Sequence, residues 1–335
     1  MSLCDSHGRM ARYLRLSVTD RCNFHCLYCR DKFSKKYISH KDILRYDEML
    51  RLVGIASQLG IGKVRITGGE PFIRKDLSGF LETLRSKFPE IALSITTNAS
   101  LIGPCLPVLK NIGLSSLNIS LDSLDSKTFA NLTGKNDLGT VLSNMESALA
   151  MGFKIKINAV AIRGITDLQL DQFLQMAKVL PVDIRFIEFM PLGRNTLWNE
   201  NLFLSANEIF QKASRQANLL PVVNKDKTSE SFSGPAKMYE VQKWKGRVGF
   251  ISAMSNHFCE RCNRLRITAR GALRTCLFAD KEYALKGLLR NSKITDDNIA
   301  KVIRQACHKK PLGSELMLKK KNISIINSQM ASIGG

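Results

Sequence analysis

Six short runs of strand length, rich in aliphatic and β-branched residues, punctuate the first 190 positions: Tyr13–Val18, Val64–Thr67, Leu93–Thr97, Ser116–Leu121, Lys154–Val160 and Asp183–Phe189. Between them apolar residues recur at helical spacing. Examples are Asp47–Leu59, closed by Gly60, and Asp167–Val179, for which Thr166 and Asp167 supply capping side chains. Strand and helix alternating through short loops predict a parallel sheet with right-handed crossovers. The reading is therefore an α/β protein whose residues 13–220 form a partial (βα)6 TIM-type barrel behind an N-terminal extension, 1–12.

The pattern changes after Met190. A loop through Pro191–Arg194 leads to a helical stretch at Ser205–Arg215 and then to a polar segment, Asn224–Pro235, of loop composition. Strand candidates follow around Tyr239–Trp244, Arg247–Ile251 and Leu265–Thr268, and helical patterns at Lys281–Leu289 and Thr295–Ala306. This part, 221–335, reads as a smaller C-terminal α+β domain. No repeat of solenoid length is visible.

Each β run of the first part is followed or ended by an unusual cluster: a cysteine loop, Gly68-Gly69-Glu70-Pro71, Thr96-Thr97-Asn98, Ser120-Leu121-Asp122, Asn158 and Glu188-Phe189-Met190. Parallel sheets gather their sites at the C-terminal ends of strands, so these clusters should converge on one cavity. Arg15, Lys156 and Arg185 lie inside β runs, where a solvated charge is unexpected if both faces are covered. They fit a polar interior that holds an anion.

The cysteine loop carries Cys22, Cys26 and Cys29, spaced C-x3-C-x2-C. Three thiolates on one loop hold an iron–sulfur cluster with one iron open to a ligand, whereas structural zinc is closed by four protein ligands. A second triplet, Cys259, Cys262 and Cys276, again lacks a nearby fourth cysteine. His25 and His257 keep a Cys3His zinc site open as an alternative for each. Gly68 and Gly69, bare of side chains, are expected to present edge amides to an amino-acid ligand chelating the open iron. Arg264-Leu265-Arg266 follows Cys262 in a strand pattern, which aims both guanidinium groups to one face as a seat for phosphates or a purine edge. Glu188 and Asp122, with no sign of pairing, are given structural or ligand-orienting roles.

Composition narrows the partners. In 335 residues, 50 Lys and Arg against 29 Asp and Glu leave a formal charge of +21, which favours a polyanionic partner. Nucleic acid and a nucleoside triphosphate both fit that charge; only 7% of residues are aromatic and no basic stretch is interleaved with stacking rings, which makes nucleic acid the less expected, though charge alone does not choose between them. No apolar run reaches membrane-spanning length and residues 1–12 lack the apolar core of a secretory signal, which points to a soluble, cytoplasmic protein. Nine cysteines in such a chain imply reducing conditions, with Cys4, Cys105 and Cys307 as ordinary thiols. The runs Lys309-Lys310 and Lys319-Lys320-Lys321 read as solvated surface, and the Gly334-Gly335 end as frayed.

Together, Leu16–Cys29, Arg65–Pro71, Ser120–Asp122, Arg185–Met190, Phe258–Thr268, Cys276 and the diglycine end resemble the GTP 3′,8-cyclase family of radical S-adenosylmethionine enzymes, which begin molybdenum cofactor biosynthesis. The resemblance implies a [4Fe-4S] cluster on Cys22, Cys26 and Cys29 that binds S-adenosylmethionine, contacted at Tyr28, Gly69, Ser120 and Met190. It implies a second [4Fe-4S] cluster on Cys259, Cys262 and Cys276 that binds the guanine of GTP. Arg15, Lys63, Arg65, Thr96, Lys156, Arg185, Arg264, Leu265 and Arg266 are the implied GTP contacts, with Arg15, Arg264 and Arg266 nearest the chemistry. The implied reaction is hydrogen abstraction from ribose C3′ by a 5′-deoxyadenosyl radical, then bonding of C3′ to C8 of guanine. Also implied are a low-potential electron donor, a homodimer, hand-over to cyclic pyranopterin monophosphate synthase, and a diglycine tail reaching the active site. Ala99 departs from the resembled family, in which glycine often follows the asparagine, and this bears on the loop's conformation. Two further readings stay open: another two-cluster radical enzyme acting as a peptide maturase, and a zinc-stabilised RNA-binding protein.

Overall fold

The computed structural model describes residues 2–29, 37–193, 197–222, 234–319 and 330–333. Its first six strands are β1 (Tyr13–Ser17), β2 (Lys63–Thr67), β3 (Ala92–Thr97), β4 (Ser116–Ser120), β5 (Ile155–Ala161) and β6 (Val182–Glu188). They pair side by side in chain order, all parallel, with a helix in every crossover. This is the α/β partial barrel expected, each strand within a residue or two of its predicted bounds.

The C-terminal part supplies β7 (Leu220–Pro221), β8 (Lys237–Glu240), β9 (Arg247–Ile251), β10 (Arg264–Ile267), β11 (Ala272–Arg274) and β12 (Tyr283–Ala284). These do not build a sheet of their own. β10 joins β1 and β9 joins β6, both parallel, and antiparallel strands finish each edge, giving the order β12-β11-β10-β1-β2-β3-β4-β5-β6-β9-β8-β7. The second cysteine segment is thereby brought beside the first through the β1–β10 pairing.

Alternation along the strands decides which face holds the site. Leu14, Leu16, Val64, Ile66, Leu93, Ile95, Leu117 and Ile119 take one face and are 2% exposed or less. Each contributes about 1.5–3 kcal/mol by leaving water. The helices cover that face; in Tyr46–Gln58, Met49, Leu52, Val53 and Ala56 fall at the three- and four-residue spacing of one buried stripe. The opposite face carries Arg15, Arg65, Thr96, Asn118, Lys156 and Arg185, so these parallel strands are apolar on one side and polar on the other.

Three element readings change. The helix expected from Asp167 begins at Leu170, because Thr166 Oγ1 and Asp167 Oδ1 accept from the Ile162 and Gly164 amides and close the preceding turn instead. The strand expected over Tyr239–Trp244 stops at Glu240, where the chain turns through Lys243 at φ 68°. The stretch Lys281–Leu289 divides into β12 and a short helix, Lys286–Arg290, since Tyr283 and Ala284 pair with β11. Most of the polar segment 224–235, residues 320–321 of the lysine run and the diglycine end lie outside the described residues. Among the described residues no helix is long and apolar enough to cross a membrane.

Candidate active site

The first cysteine loop leaves β1 and is sewn to the ends of β2 and β3. The Gly69 and Glu70 amides donate to Thr19 O and Arg21 O, both at 2.8 Å. A Cβ on Gly69 would lie 2.1 Å from Arg21 O, and one on Gly68 2.7 Å from Thr19 O, so backbone contact is what requires glycine here. This corrects the expectation for Gly69: its amide is committed to the loop, and only its carbonyl and Cα hydrogens remain for a ligand. Gly69→Ala is expected to cost about 1–3 kcal/mol or more by overpacking. Iron retained at the first site and the midpoint of thermal unfolding should fall together; an unchanged midpoint would contradict the packing account.

Glu70, 1% exposed, accepts from Thr97 Oγ1 (2.8 Å), Asn98 N (2.7 Å) and Phe72 N (3.2 Å), latching β2 to β3. Burial lifts its carboxyl to about 7 against those hydrogen bonds. Asn98 in turn reaches Asn23 Oδ1 at 2.9 Å and Cys22 Sγ at 3.8 Å. Ala99 adopts φ 63° and is held by Thr97 Oγ1 and Asn144 Nδ2. This left-handed conformation favours glycine, and alanine bears a modest strain there.

Around Cys26 and Cys29 the loop meets the end of β4. The Tyr28 hydroxyl donates to Asp122, whose second oxygen accepts from Val160 N at 2.7 Å. Asp122 therefore orients Tyr28 and is not an acid–base pair with Glu188. Glu188 accepts from the amides of Ala206, Met254 and Ser255 and ties the loop after β6 to the segment after β9. Burial, then the neighbouring Cys29 and Asp122 charges, pushes the Cys26 thiol well up.

The second triplet sits in opposite electrostatics. Burial resists ionisation of Cys262, but Arg264 and Lys310 outweigh it and bring the thiol down to about 6. Lys310 is a residue the sequence reading misplaced: it is 2% exposed, not solvated. Arg9, in the N-terminal extension, was missed altogether. Its guanidinium donates to Cys259 O at 2.7 Å and Lys310 O at 2.9 Å, across 250 and 301 residues of sequence, and nothing local in the chain signals such contacts. Among the described residues no three His, Cys, Asp or Glu side chains close on a point fit for a single ion, and His257 Nδ1 is engaged with Ala253 O at 2.8 Å. All three thiols of each triplet face one shared cavity.

One cavity joins the two triplets: all six cysteines line it, with Tyr28, Gly69, Ser120 and Met190 on the first side and Arg264 and Arg266 on the second. Arg15, Arg65, Thr96 and Arg185 line the interior between. In register, Arg15 faces Arg266 on one side and Arg65 on the other. Neighbouring strands lie only about 4.8 Å apart, so three guanidinium groups abreast repel one another unless an anion joins them. Burial, then repulsion from Arg65 and Arg264 against the attraction of Tyr13, lowers Arg15 to about 10. Its Nε and the Thr96 hydroxyl are buried without a partner in the described protein. Lys63 and Lys156 are not among the cavity-lining residues; both are partly buried and near enough to Arg65 and Arg185 to be repelled by them. Leu265 is corrected: it is 1% exposed in the apolar core, so only its backbone is left to meet a substrate.

The fold has relatives among solved structures. Streptococcus suis SuiB bound to S-adenosylmethionine superposes with TM-score 0.62 over 92% of this chain and 69% of that one, at 15% identity. AnSMEcpe with bound AdoMet gives TM-score 0.50 over 61% and 57%, at 19% identity. Residues 16–177 match the Radical SAM superfamily and 182–316 match Molybdenum Cofactor Synthesis C. Fold and cysteine loop thus define a radical S-adenosylmethionine protein. GTP 3′,8-cyclase of Desulforamulus reducens is 39% identical over 92% of this chain and 94% of its own length, and that of Petrotoga mobilis 36% identical over 99% and 100%. The GTP 3′,8-cyclase of Clostridium botulinum strain Okra is 39% identical over the same 99% and 100%. The chain belongs to the GTP 3′,8-cyclase family.

Proposed function

We propose that this protein converts GTP to (8S)-3′,8-cyclo-7,8-dihydroguanosine 5′-triphosphate, the first step of molybdenum cofactor biosynthesis. The observation that carries the reading is one cavity lined by both cysteine triplets and by Arg15, Arg65, Arg185, Arg264 and Arg266. The donor sets fit the groups the family implies: three thiols without a fourth at each site, and cations abreast that need an anion. Cys22, Cys26 and Cys29 would hold one [4Fe-4S] cluster, and Cys259, Cys262 and Cys276 a second. Tyr28, Gly69, Ser120 and Met190 would meet S-adenosylmethionine, with Asp122 fixing the Tyr28 ring. When bound and reduced, the first cluster and S-adenosylmethionine supply the radical that takes hydrogen from ribose C3′.

The protein's own work is placement. Arg15, Arg65 and Arg185 take the triphosphate, Arg264 and Arg266 the purine end beside the second triplet, and Thr96 offers its unpartnered hydroxyl between. The Arg264 guanidinium lies over the Phe258 ring, 4.8 Å from its centre, which helps to hold it beside the second triplet. Holding C3′ and C8 within bonding reach and excluding water is where such a site gains rate. We assign residues 13–220 to the barrel and 221–335 to the part that completes it. A homodimer, a low-potential donor, a cytoplasmic setting and hand-over to cyclic pyranopterin monophosphate synthase complete the reading.

The interior lysines give it a pH signature. Burial, then Arg185 and Lys63, lowers Lys156 to about 7; burial, then Arg65 and Arg185, lowers Lys63 to about 8. An incoming triphosphate favours both ammonium forms and raises both values, so binding takes up protons. Affinity is therefore highest below pH 7 and should fall as pH rises through the two ligand-free values. Calorimetry in buffers of different ionisation enthalpy should register proton uptake at pH 8; none would contradict the assignment. The function itself is tested by anaerobic incubation of reconstituted protein with GTP, S-adenosylmethionine and reductant. 5′-Deoxyadenosine should rise with GTP and a cyclised guanosine product appear; formation indifferent to GTP would remove GTP as substrate.

A further inference from the structure

Lys310 is a buried ammonium whose recorded partners are Arg264 O and, at 3.5 Å, Cys262 Sγ. A buried ammonium persists where a strong acceptor compensates it, and a neutral thiol is a weak one. A thiolate bound to a cluster meets the need. The turn that delivers Lys310 also runs close by the other two sulfurs: a Cβ on Gly313 would lie 3.1 Å from Cys276 Sγ and 3.3 Å from Cys259 Sγ. Residues 310–313 therefore wall the whole triplet.

That wall is fastened from the other end of the chain. Arg9, itself bound to Asp5 at 2.6 Å with both side chains 5% exposed or less, donates to Lys310 O at 2.9 Å, Pro311 O at 3.1 Å and Cys259 O at 2.7 Å. One guanidinium so fixes the distance between the Cys259 loop and the Lys310 turn.

We propose that Lys310, held by the Asp5–Arg9 pair, is the positioning and charge-compensating residue of the second cysteine site. This rests on the reading that Cys259, Cys262 and Cys276 carry a cluster. A thiolate-bound cluster gains negative charge on reduction, and a positive charge and hydrogen bond at a ligand sulfur favour the reduced form. Lys310 thus raises the potential of the second site.

The test uses the full chain with Cys22, Cys26 and Cys29 replaced by alanine, reconstituted so that only the second site holds iron, and follows its reduction by spectroelectrochemistry. Lys310→Met is expected to keep the iron and to titrate at a lower potential, by at least a tenfold change in the reduction constant, about 59 mV for one electron. Lys310→Arg should stay near the parent. An unchanged potential in Lys310→Met overturns the proposal. Should that variant not fold, Lys310→Gln, which keeps a donor without the charge, takes its place: a shift for Gln but not Arg supports the proposal, and equal values overturn it. Absence of iron in the parent would instead overturn the second cluster itself.

Discussion

Cys26→Ala is expected to end 5′-deoxyadenosine formation, while Cys259→Ala leaves it running without making the cyclised product. The two triplets line one cavity and are assigned separate groups, so each alanine removes a ligand from a different task. Losing the first site removes a metal contribution of several kcal/mol, a fall of about a thousandfold or more. Losing the second leaves the radical source intact but unseats the purine, so hydrogen abstraction loses its partner and S-adenosylmethionine is consumed without dependence on GTP. Chromatography of both products for both variants checks this. Equal loss of 5′-deoxyadenosine in the two variants, with iron still present at the untouched site, would mean the triplets do not divide the work as argued.

The second large effect separates binding from stability. Arg15→Met should weaken GTP binding by about 1.5–3 kcal/mol, roughly ten- to a hundredfold, as expected for a lost charged hydrogen-bond partner. The same change relieves repulsion among Arg15, Arg65 and Arg266 and removes a buried cation whose Nε has no partner in the described protein. The unfolding midpoint should therefore hold or rise while affinity falls. Sites built to hold a ligand strain the empty fold in this way. A lower midpoint with unchanged affinity would make Arg15 structural.

What could be read before the fold was known follows the range of each interaction. The β runs and their polar ends were legible because a strand's alternation and a glycine pair are local, and Arg15 and Arg185 stood out as charges inside strands. Local pattern misled where competing hydrogen bonds were themselves local but chosen by tertiary context, as at Thr166 and Asp167, which close a turn instead of capping a helix. Gly69 was found for its bareness, but its reason is Arg21 O pressing against it, not a free amide. Lys310 and Arg9 were out of reach. A lysine pair near a chain end looks solvated, and only the β1–β10 pairing brings the N-terminal segment, the second triplet and residues 310–313 together.

The most direct test of the central claim is isotopic. GTP carrying deuterium at C3′ should give 5′-deoxyadenosine with one deuterium by mass spectrometry, in step with the cyclised product. Unlabelled 5′-deoxyadenosine, formed while the deuterium stays in the nucleotide, would contradict the claim that this cavity sets ribose C3′ against the radical source.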